Sequence, residues 1–169
     1  MEGSHVAFNA RATFAWSADR LYCVYVRDDA LYFIRIGGQD IGTAVAGQFG
    51  LLGALAGEAL RKRAKGKRDA RAAAQDRQDA QDLLAMHKDN FRLVPGEVLE
   101  SSIEPPATFA AHGAHVGRWL MTLSDKKLSL QFEQFGDMQV ALEHLPRFFG
   151  TRLKVNVQWN AAKKRYQKL

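Results

Sequence analysis

Two short runs near the N-terminus carry the residue types of β-strands. Residues 21–27 and 30–36 are rich in β-branched and aromatic side chains, which suit the pleated surface of a sheet. Two aspartates separate the runs and have the length of a tight turn, so the pattern predicts a β-hairpin. An earlier strand is predicted over residues 13–16, ended by a turn at residues 17–19.

The strand pattern returns in the C-terminal half of the chain. A Pro-Gly turn precedes a predicted strand over residues 97–103, and a polar turn joins residues 118–123 to residues 128–132 as a hairpin. Apolar and polar residues alternate in 128–132 and again in 153–159, so each of these segments is expected to bury one face. The tryptophans on these predicted strands are expected to pack in the core.

A helix is predicted after the second hairpin, over residues 137–149. Asp137 is its expected N-cap. Apolar residues recur behind it at spacings of three and four and form one stripe for the core: Met138, Ala141, Leu142, Leu145, Phe148 and Phe149. Pro146 lies near the end of the segment, where we expect it to bend or terminate the helix.

Residues 40–90 differ in composition from both strand regions. They contain no proline and, after Val45, almost no β-branched residue, while residues that favour helices dominate. Gly66 is the natural break, so we predict an inserted helical hairpin with helices over residues 40–65 and 67–87.

The first of these helices carries an uncharged run, residues 41–57, with five glycines. Small residues follow one another at helical spacing and form a narrow stripe: Gly42, Ala46, Gly50, Gly53 and Gly57. Such a stripe lets a second backbone approach closely. The second backbone could belong to the alanine-rich partner helix or to another subunit, and small-residue stripes also serve helices in a bilayer. At 17 residues the run has the minimum length for a membrane span.

The chain length of 169 residues fits one domain. We predict an α+β fold over residues 1–169. Its antiparallel sheet of about seven or eight strands, a partly open barrel, comes from residues 13–38 and 91–159. The C-terminal helix packs on it and the helical hairpin is inserted at 40–90. The single cysteine, Cys23, excludes an internal disulfide, and no secretion signal is recognisable, so a cytoplasmic location is expected.

The net charge of +6 is concentrated in two runs. Residues 61–71 contain seven basic residues against one acid, and residues 163–169 add four more. Elsewhere acids outnumber bases, which argues against a distributed nucleic-acid-binding surface. Each run is either a solvated helix end or frayed tail, or a contact for an acidic partner or anionic lipid. In the first run the contact residues would be Arg61, Lys62, Arg63, Lys65, Lys67 and Arg68.

Residues that could carry chemistry are sparse. His112 and His115 lie three apart in a glycine-containing string, but no cysteine or nearby carboxylate completes a set of metal ligands. Asp76, Asp79 and Asp82 repeat every three residues, which indicates a solvated helix face. We therefore predict no catalytic residue, no cofactor and no metal site.

Four apolar patterns occur in the order of a known superfamily. They are the strand at 31–34, the segment 91–98, the strand pair within 118–132 and the helix at 137–149. Together they resemble the pleckstrin-homology-like superfamily, particularly its GRAM and bacterial membrane-associated branches. The resemblance implies a non-catalytic scaffold that binds protein or membrane.

The sequence departs from that family pattern in three places. The helical insertion and the extra strand at 153–159 have no counterpart in the pattern. The loop at 17–20, where the phosphoinositide-binding members carry a basic cluster, holds one arginine beside an aspartate. Headgroup binding is therefore not transferred to this loop.

These observations favour a non-enzymatic interaction module that self-associates through the glycine-striped helix. One alternative is a peripheral domain that binds anionic lipid through residues 61–71 at the inner face of the membrane. The other is an enzyme with a cleft containing His112 or His115. The expected partner is a second copy or another protein, and nucleic acid is not expected.

Overall fold

The structure is a computed structural model that describes residues 6–14, 17–37, 80–107 and 115–169. The strands are β1 (Val6–Phe14), β2 (Ser17–Val26), β3 (Leu31–Gly37), β4 (Phe91–Leu93), β5 (Val98–Glu104), β6 (Gly117–Leu123), β7 (Lys127–Phe132), β8 (Leu153–Val155), β9 (Val157–Asn160) and β10 (Arg165–Lys168). The helices of the described ranges are α1 (Ala80–Ala85) and α2 (Phe135–Phe149), with single 3-10 turns at Pro95–Glu97 and Gly150–Arg152.

Eight strands form one sheet in the order β4-β3-β2-β1-β7-β6-β5-β8. Neighbouring strands are antiparallel except β5 and β8, which are parallel. The sheet curls into a half-barrel, and β9 and β10 form a separate hairpin. The predicted antiparallel sheet with a C-terminal helix is therefore confirmed, and the described fold is mainly β.

The inner face of the sheet is built around Trp119. Its ring centre lies 5.8 Å from that of Phe8, 5.9 Å from that of Phe33 and 6.1 Å from that of Phe149. The indole Nε1–H donates to Ser101 Oγ at 2.9 Å, so this buried polar group is satisfied. The predicted stripe of α2 closes the same core, with four members buried (Met138, Ala141, Leu145 and Phe149) and the other two partly buried.

Strands β2 and β3 also bury their outer face. Side chains of the two strands and of the turn between them form a second apolar cluster with Leu83 of α1: Leu21, Cys23, Tyr25, Ala30, Tyr32, Ile34 and Ile36. Asn90 holds α1 to β3, because its Nδ2 donates to the Leu83 carbonyl (2.7 Å) and its Oδ1 accepts from the Arg35 N–H (2.8 Å). The absence of alternation in residues 21–25 has its reason here, since both faces of the strand are covered.

The N-terminal elements differ from prediction at two points. β1 begins at Val6 rather than at residue 13, because its core-facing side chains beyond Phe8 are alanines, which give a weak hydrophobic pattern. The turn predicted at 17–19 is wrong, since those residues belong to β2, which pairs with β1 from Ser17 onward. Cross-strand pairing overrides the turn preference of Ser and Asp.

The segment 153–159 is two strands rather than the one that was predicted. β8 belongs to the large sheet, β9 belongs to the hairpin, and Asn156 lies between them. The Asn156 N–H donates to the Ile103 carbonyl (2.9 Å), while its carbonyl accepts from the Leu169 N–H (3.1 Å). Asn156 is therefore the residue at which the chain changes partner.

Helix α2 begins and ends differently from the prediction. Its N-cap residue is Gln134, and Asp137 lies in the first turn, where Oδ1 accepts the Asn9 N–H at 2.7 Å. Asp137 fastens the helix to β1 instead of capping it. The helix continues three residues beyond Pro146 and stops at Gly150, whose φ of 57° is a left-handed conformation that suits glycine.

The predicted helical insertion is described only at its end. Helix α1 coincides with the last part of the helix predicted over 67–87 and ends at Ala85. Residues 38–79 lie outside the described residues, so the rest of the hairpin stays a prediction.

Candidate functional site

The candidate sites on the insertion lie outside the described residues. These are the small-residue stripe (Gly42, Ala46, Gly50, Gly53 and Gly57) and the basic run (Arg61, Lys62, Arg63, Lys65, Lys67 and Arg68). His112, Asp76 and Asp79 also lie outside them. Of the singled-out residues, the structure describes Cys23, which is buried, Asp82, which is exposed, and His115.

A concave site, which we call the β10 cleft, lies between strand β10, the end of β5 and the start of α2. Its volume is about 520 Å³, within the range of sites that hold small ligands or short peptide segments. Its lining residues are Pro105, Pro106, Ala107, His115, Val116, Phe135, Lys164, Arg165, Tyr166, Gln167 and Lys168.

Aromatic side chains form one wall of the β10 cleft and the surface beside it. Phe135 stacks on Tyr166 with ring centres 5.1 Å apart, and Trp159 packs edge-on against Phe135 at 4.6 Å. Burial raises the pKa of the Tyr166 hydroxyl, so this ring stays neutral. Trp159 was expected in the core, but 47% of it is exposed. The cluster is therefore an aromatic surface in which the rings pack against one another and Trp159 is partly exposed to solvent.

Cations surround this aromatic wall. Lys164, Arg165 and Lys168 are exposed and line the cleft. Within the described part of the chain, none of the three forms an ion pair, in contrast to Arg11, Arg35 and other arginines of the sheet, which bind carboxylates. The cleft therefore combines apolar surface with positive charge that no described acid neutralises.

His115 lies in the same cleft and is 5% exposed. Its Nδ1 is buried and has no hydrogen-bond partner among the described residues. Burial lowers the pKa of the imidazole, the positive charge of Arg118 lowers it further, and the backbone of Gly117 opposes both. A neutral imidazole with an unsatisfied nitrogen can bond to a group that enters the cleft, since buried polar atoms are normally paired.

Two other polar sites are internally satisfied. Asp89 accepts from Arg35 Nη1 at 2.6 Å and tethers the end of β3. A second concavity of about 490 Å³, on β5, β6, β7 and β8, contains the ion pair of Lys154 and Glu100. In the described ranges, no three His, Cys, Asp or Glu side chains form a group that could hold a metal ion.

The sequence prediction missed the cleft apart from His115. The sequence leaves the basic run at residues 163–169 as either a solvated end or frayed tail or a contact for an acidic partner or anionic lipid, and it does not predict strand β10. The pattern that could have found β10 is Asn160 followed by a short polar turn and a second short strand that could pair with residues 157–160. The opposite wall, at residues 105–107, is distant in sequence and no local pattern brings it there.

No family model, curated protein or solved structure matches this chain. None of the described helices has both the length and the apolar character required to cross a membrane.

Proposed function

We propose that this chain is a non-enzymatic interaction module of the pleckstrin-homology-like kind and that it binds an anionic protein segment in the β10 cleft. The observation that carries the proposal is the combination of three cations that form no ion pair with a described residue (Lys164, Arg165 and Lys168) with a partly exposed aromatic cluster. Aromatic side chains and arginine are enriched in protein recognition sites, and exposed charges of one sign contribute little to the stability of the fold.

A protein segment suits this site better than a bilayer surface. The cations and the aromatic residues line a concave space, which a chain segment can enter. A flat lipid surface meets protruding side chains instead, as the interfacial mode of membrane binding requires. Anionic lipid is therefore kept as an outcome of the test rather than as the proposed ligand.

The test uses the intact chain and an acidic heptapeptide of alternating Glu and Val, labelled with fluorescein. Anisotropy titration is expected to show binding that weakens from 50 to 500 mM salt, because exposed charges are screened at high salt. A Lys-Val peptide of the same length is expected not to bind.

The matched variants are Arg165→Glu plus Lys168→Glu in the cleft and Lys126→Glu plus Lys127→Glu at the β6–β7 hairpin, where Lys127 is the first residue of β7. Both change the net charge equally, and all four cations are exposed. The cleft variant is expected to lower the affinity for the peptide by about tenfold or more, because two attractive charges become two repulsive ones. Equal weakening by both variants would contradict a specific site.

Vesicles with anionic lipid provide the competing arm. One outcome would replace the proposed protein partner by a membrane surface. In it, the wild-type chain floats with the vesicles, the cleft variant does not, and the peptide does not bind.

Self-association through the small-residue stripe is a second candidate function. The spacing of Gly42, Ala46, Gly50, Gly53 and Gly57 favours it, because these residues share one helix face at which backbones can approach. It is compatible with partner binding at the β10 cleft, since the two use different parts of the chain.

A further inference from the structure

The β10 cleft lies along the edge of strand β10 rather than over one of its faces. Five consecutive residues, 164–168, line it. Successive side chains of a strand point to opposite faces, so a space on one face would contact every second residue. Contact with all four residues of β10, Arg165–Lys168, places the cleft beside the strand, at its edge.

This edge is open in the described part of the chain. The small sheet consists of β10 and β9 alone, so one side of β10 has no strand partner there. The opposite wall carries Pro105 and Pro106, whose nitrogens have no hydrogen to donate, directly after β5 ends at Glu104. Neither proline can donate a backbone hydrogen bond to the open edge of β10, so these two residues do not act as its strand partner.

The register of the hairpin shows which backbone groups face the cleft. Opposed residues of antiparallel strands alternate between pairs that exchange both backbone hydrogen bonds and pairs that exchange none. The Leu169 N–H donates to the Asn156 carbonyl at 3.1 Å, one step beyond the pair of Lys168 and Val157. The pair at Leu169 is therefore of the hydrogen-bonded kind.

Counting back from that pair, Gln167 and Arg165 are also bonded to β9. The N–H and C=O groups of Tyr166 and Lys168 point the other way, toward the open edge. They are two residues apart, about 6.6 Å at the usual strand rise, which is the repeat of a strand that could be added.

We propose that the partner binds as an added β-strand on this edge of β10, an inference that rests on the proposed function. The occupant is an extended, acidic peptide segment whose backbone pairs with Tyr166 and Lys168. The carboxylates along one face of the added strand meet Arg165 or Lys168, which lie on opposite faces of β10, according to the face that carries them. The Nδ1 of His115, which has no hydrogen-bond partner among the described residues, is available to a polar group of the same segment. Main-chain pairing provides affinity and the flanking cations provide specificity.

The first experiment separates the backbone group of Lys168 from its charge. Lys168→Gln removes the charge alone, whereas Lys168→Pro also removes the outward N–H. Proline is accepted on an edge strand at such a position, so the hairpin is expected to persist, which circular dichroism checks. With the acidic heptapeptide we expect about threefold weaker binding for Lys168→Gln and about tenfold or more for Lys168→Pro. Equal effects would overturn the added strand.

The second experiment leaves the protein unchanged and modifies the peptide. Two forms of the heptapeptide carry N-methyl groups, on two valine nitrogens or on two glutamate nitrogens. Because alternate residues of a strand direct their N–H groups to the same edge, one form blocks the edge that meets β10 and the other blocks the solvent edge. We expect one form to lose about tenfold or more in affinity and the other to bind like the parent peptide.

The outcomes distinguish the two proposals. Salt-dependent binding that both methylated forms retain would overturn strand addition and leave the anionic-partner function intact. No binding of the parent peptide to the wild-type chain would overturn both.

Discussion

Gly117 lies at the start of β6, directly against the Met138 side chain of helix α2. A Cβ atom at this position would lie 2.6 Å from Met138 Sδ and 3.2 Å from the Glu104 carbonyl oxygen. The thioether is flexible, but Met138 is fully buried and the carbonyl is backbone, so the neighbours have little room to move. Glycine is therefore required here by space, not by a left-handed backbone.

Gly117→Ala is expected to destabilise the chain by about 1–3 kcal/mol, the usual cost of overpacking a core. Gly136→Ala is the matched control, because a Cβ there meets nothing within 4 Å and Gly136 lies inside α2. It is expected to be neutral or to stabilise by about 0.5–1 kcal/mol. Urea unfolding of both variants checks this, and equal stability of the two would contradict the packing argument.

His115 is expected to make folding stability depend on pH. Its folded pKa lies below the ordinary value of about 6.5, so the unfolded chain binds a proton that the folded chain does not. Stability is then fully present above about pH 6.5 and falls as the pH drops from there toward the folded pKa.

The measurement is the urea midpoint at pH 7.5 and pH 5.0 for wild type and His115→Gln. Glutamine cannot titrate, so the loss of stability between the two pH values is expected to be smaller in the variant. An identical loss in both proteins would show that His115 does not contribute.

Among the elements, the joint between α2 and β1 depends on Asp137. Its carboxylate accepts the Asn9 N–H at 2.7 Å. Burial raises the pKa of this carboxyl, the negative charge of Glu133 adds to the rise, and the Asn9 bond opposes it. The ionised carboxylate therefore stabilises the fold as a hydrogen-bond acceptor and destabilises it as a buried charge.

Asp137→Ala is expected to lower the free energy of unfolding by about 1–3 kcal/mol because it leaves the Asn9 N–H unpaired, whereas Asp137→Asn keeps an acceptor oxygen and is expected to lose less.

The raised pKa of Asp137 has a second consequence, for the pH dependence of stability. As the pH falls through it toward the ordinary value, the folded wild type binds a proton that the unfolded chain does not, so wild type gains stability relative to Asp137→Asn. Thermal unfolding of the wild type and both variants at pH 7 and pH 4 tests the two predictions. A stability difference between wild type and Asp137→Asn that is the same at both pH values would refute the pH dependence.

The sequence correctly predicted the elements whose apolar residues recur at strand or helix spacing because one face of the element is buried. The hairpin of β6 and β7 and the stripe of α2 follow from the spacing of residues such as Leu130, Phe132 and Leu145, all buried. The start of β1 was missed because alanines at 10 and 12 face the core. The turn assigned to Ser17–Asp19 failed because pairing with β1 outweighs local preference.

The candidate site was less accessible to sequence reasoning. The residues of β10 are basic, and a short basic segment at a chain end looks like a solvated tail until its partner strand is known. The β10 cleft also needs residues 105–107 and 164–168 to meet, a separation that no helical or strand period encodes. Of the residues that line the cleft, the sequence singles out His115, for its spacing from His112. In the structure its Nδ1 has no hydrogen-bond partner among the described residues.

On the scale of the whole molecule, the remaining prediction concerns self-association. Five glycines in residues 41–57 each cost about 1 kcal/mol relative to alanine in a helix, so close packing of a second backbone is the compensation that we expect. If that backbone belongs to another copy, light scattering of the wild type gives a mass above that of one chain. Gly50→Leu plus Gly53→Leu then reduces it to a monomer, because bulky side chains separate the helices.

Gly96→Leu is the control for an added surface leucine, since a Cβ there meets nothing within 4 Å, and it should leave the mass unchanged. A monomeric wild type, or an oligomer that survives the double substitution, would contradict self-association through the stripe. A monomeric wild type whose thermal stability falls on the double substitution would instead assign the stripe to packing within the chain. In that case the β10 cleft alone would carry the interaction function, and the peptide titrations would decide it without reference to the insertion.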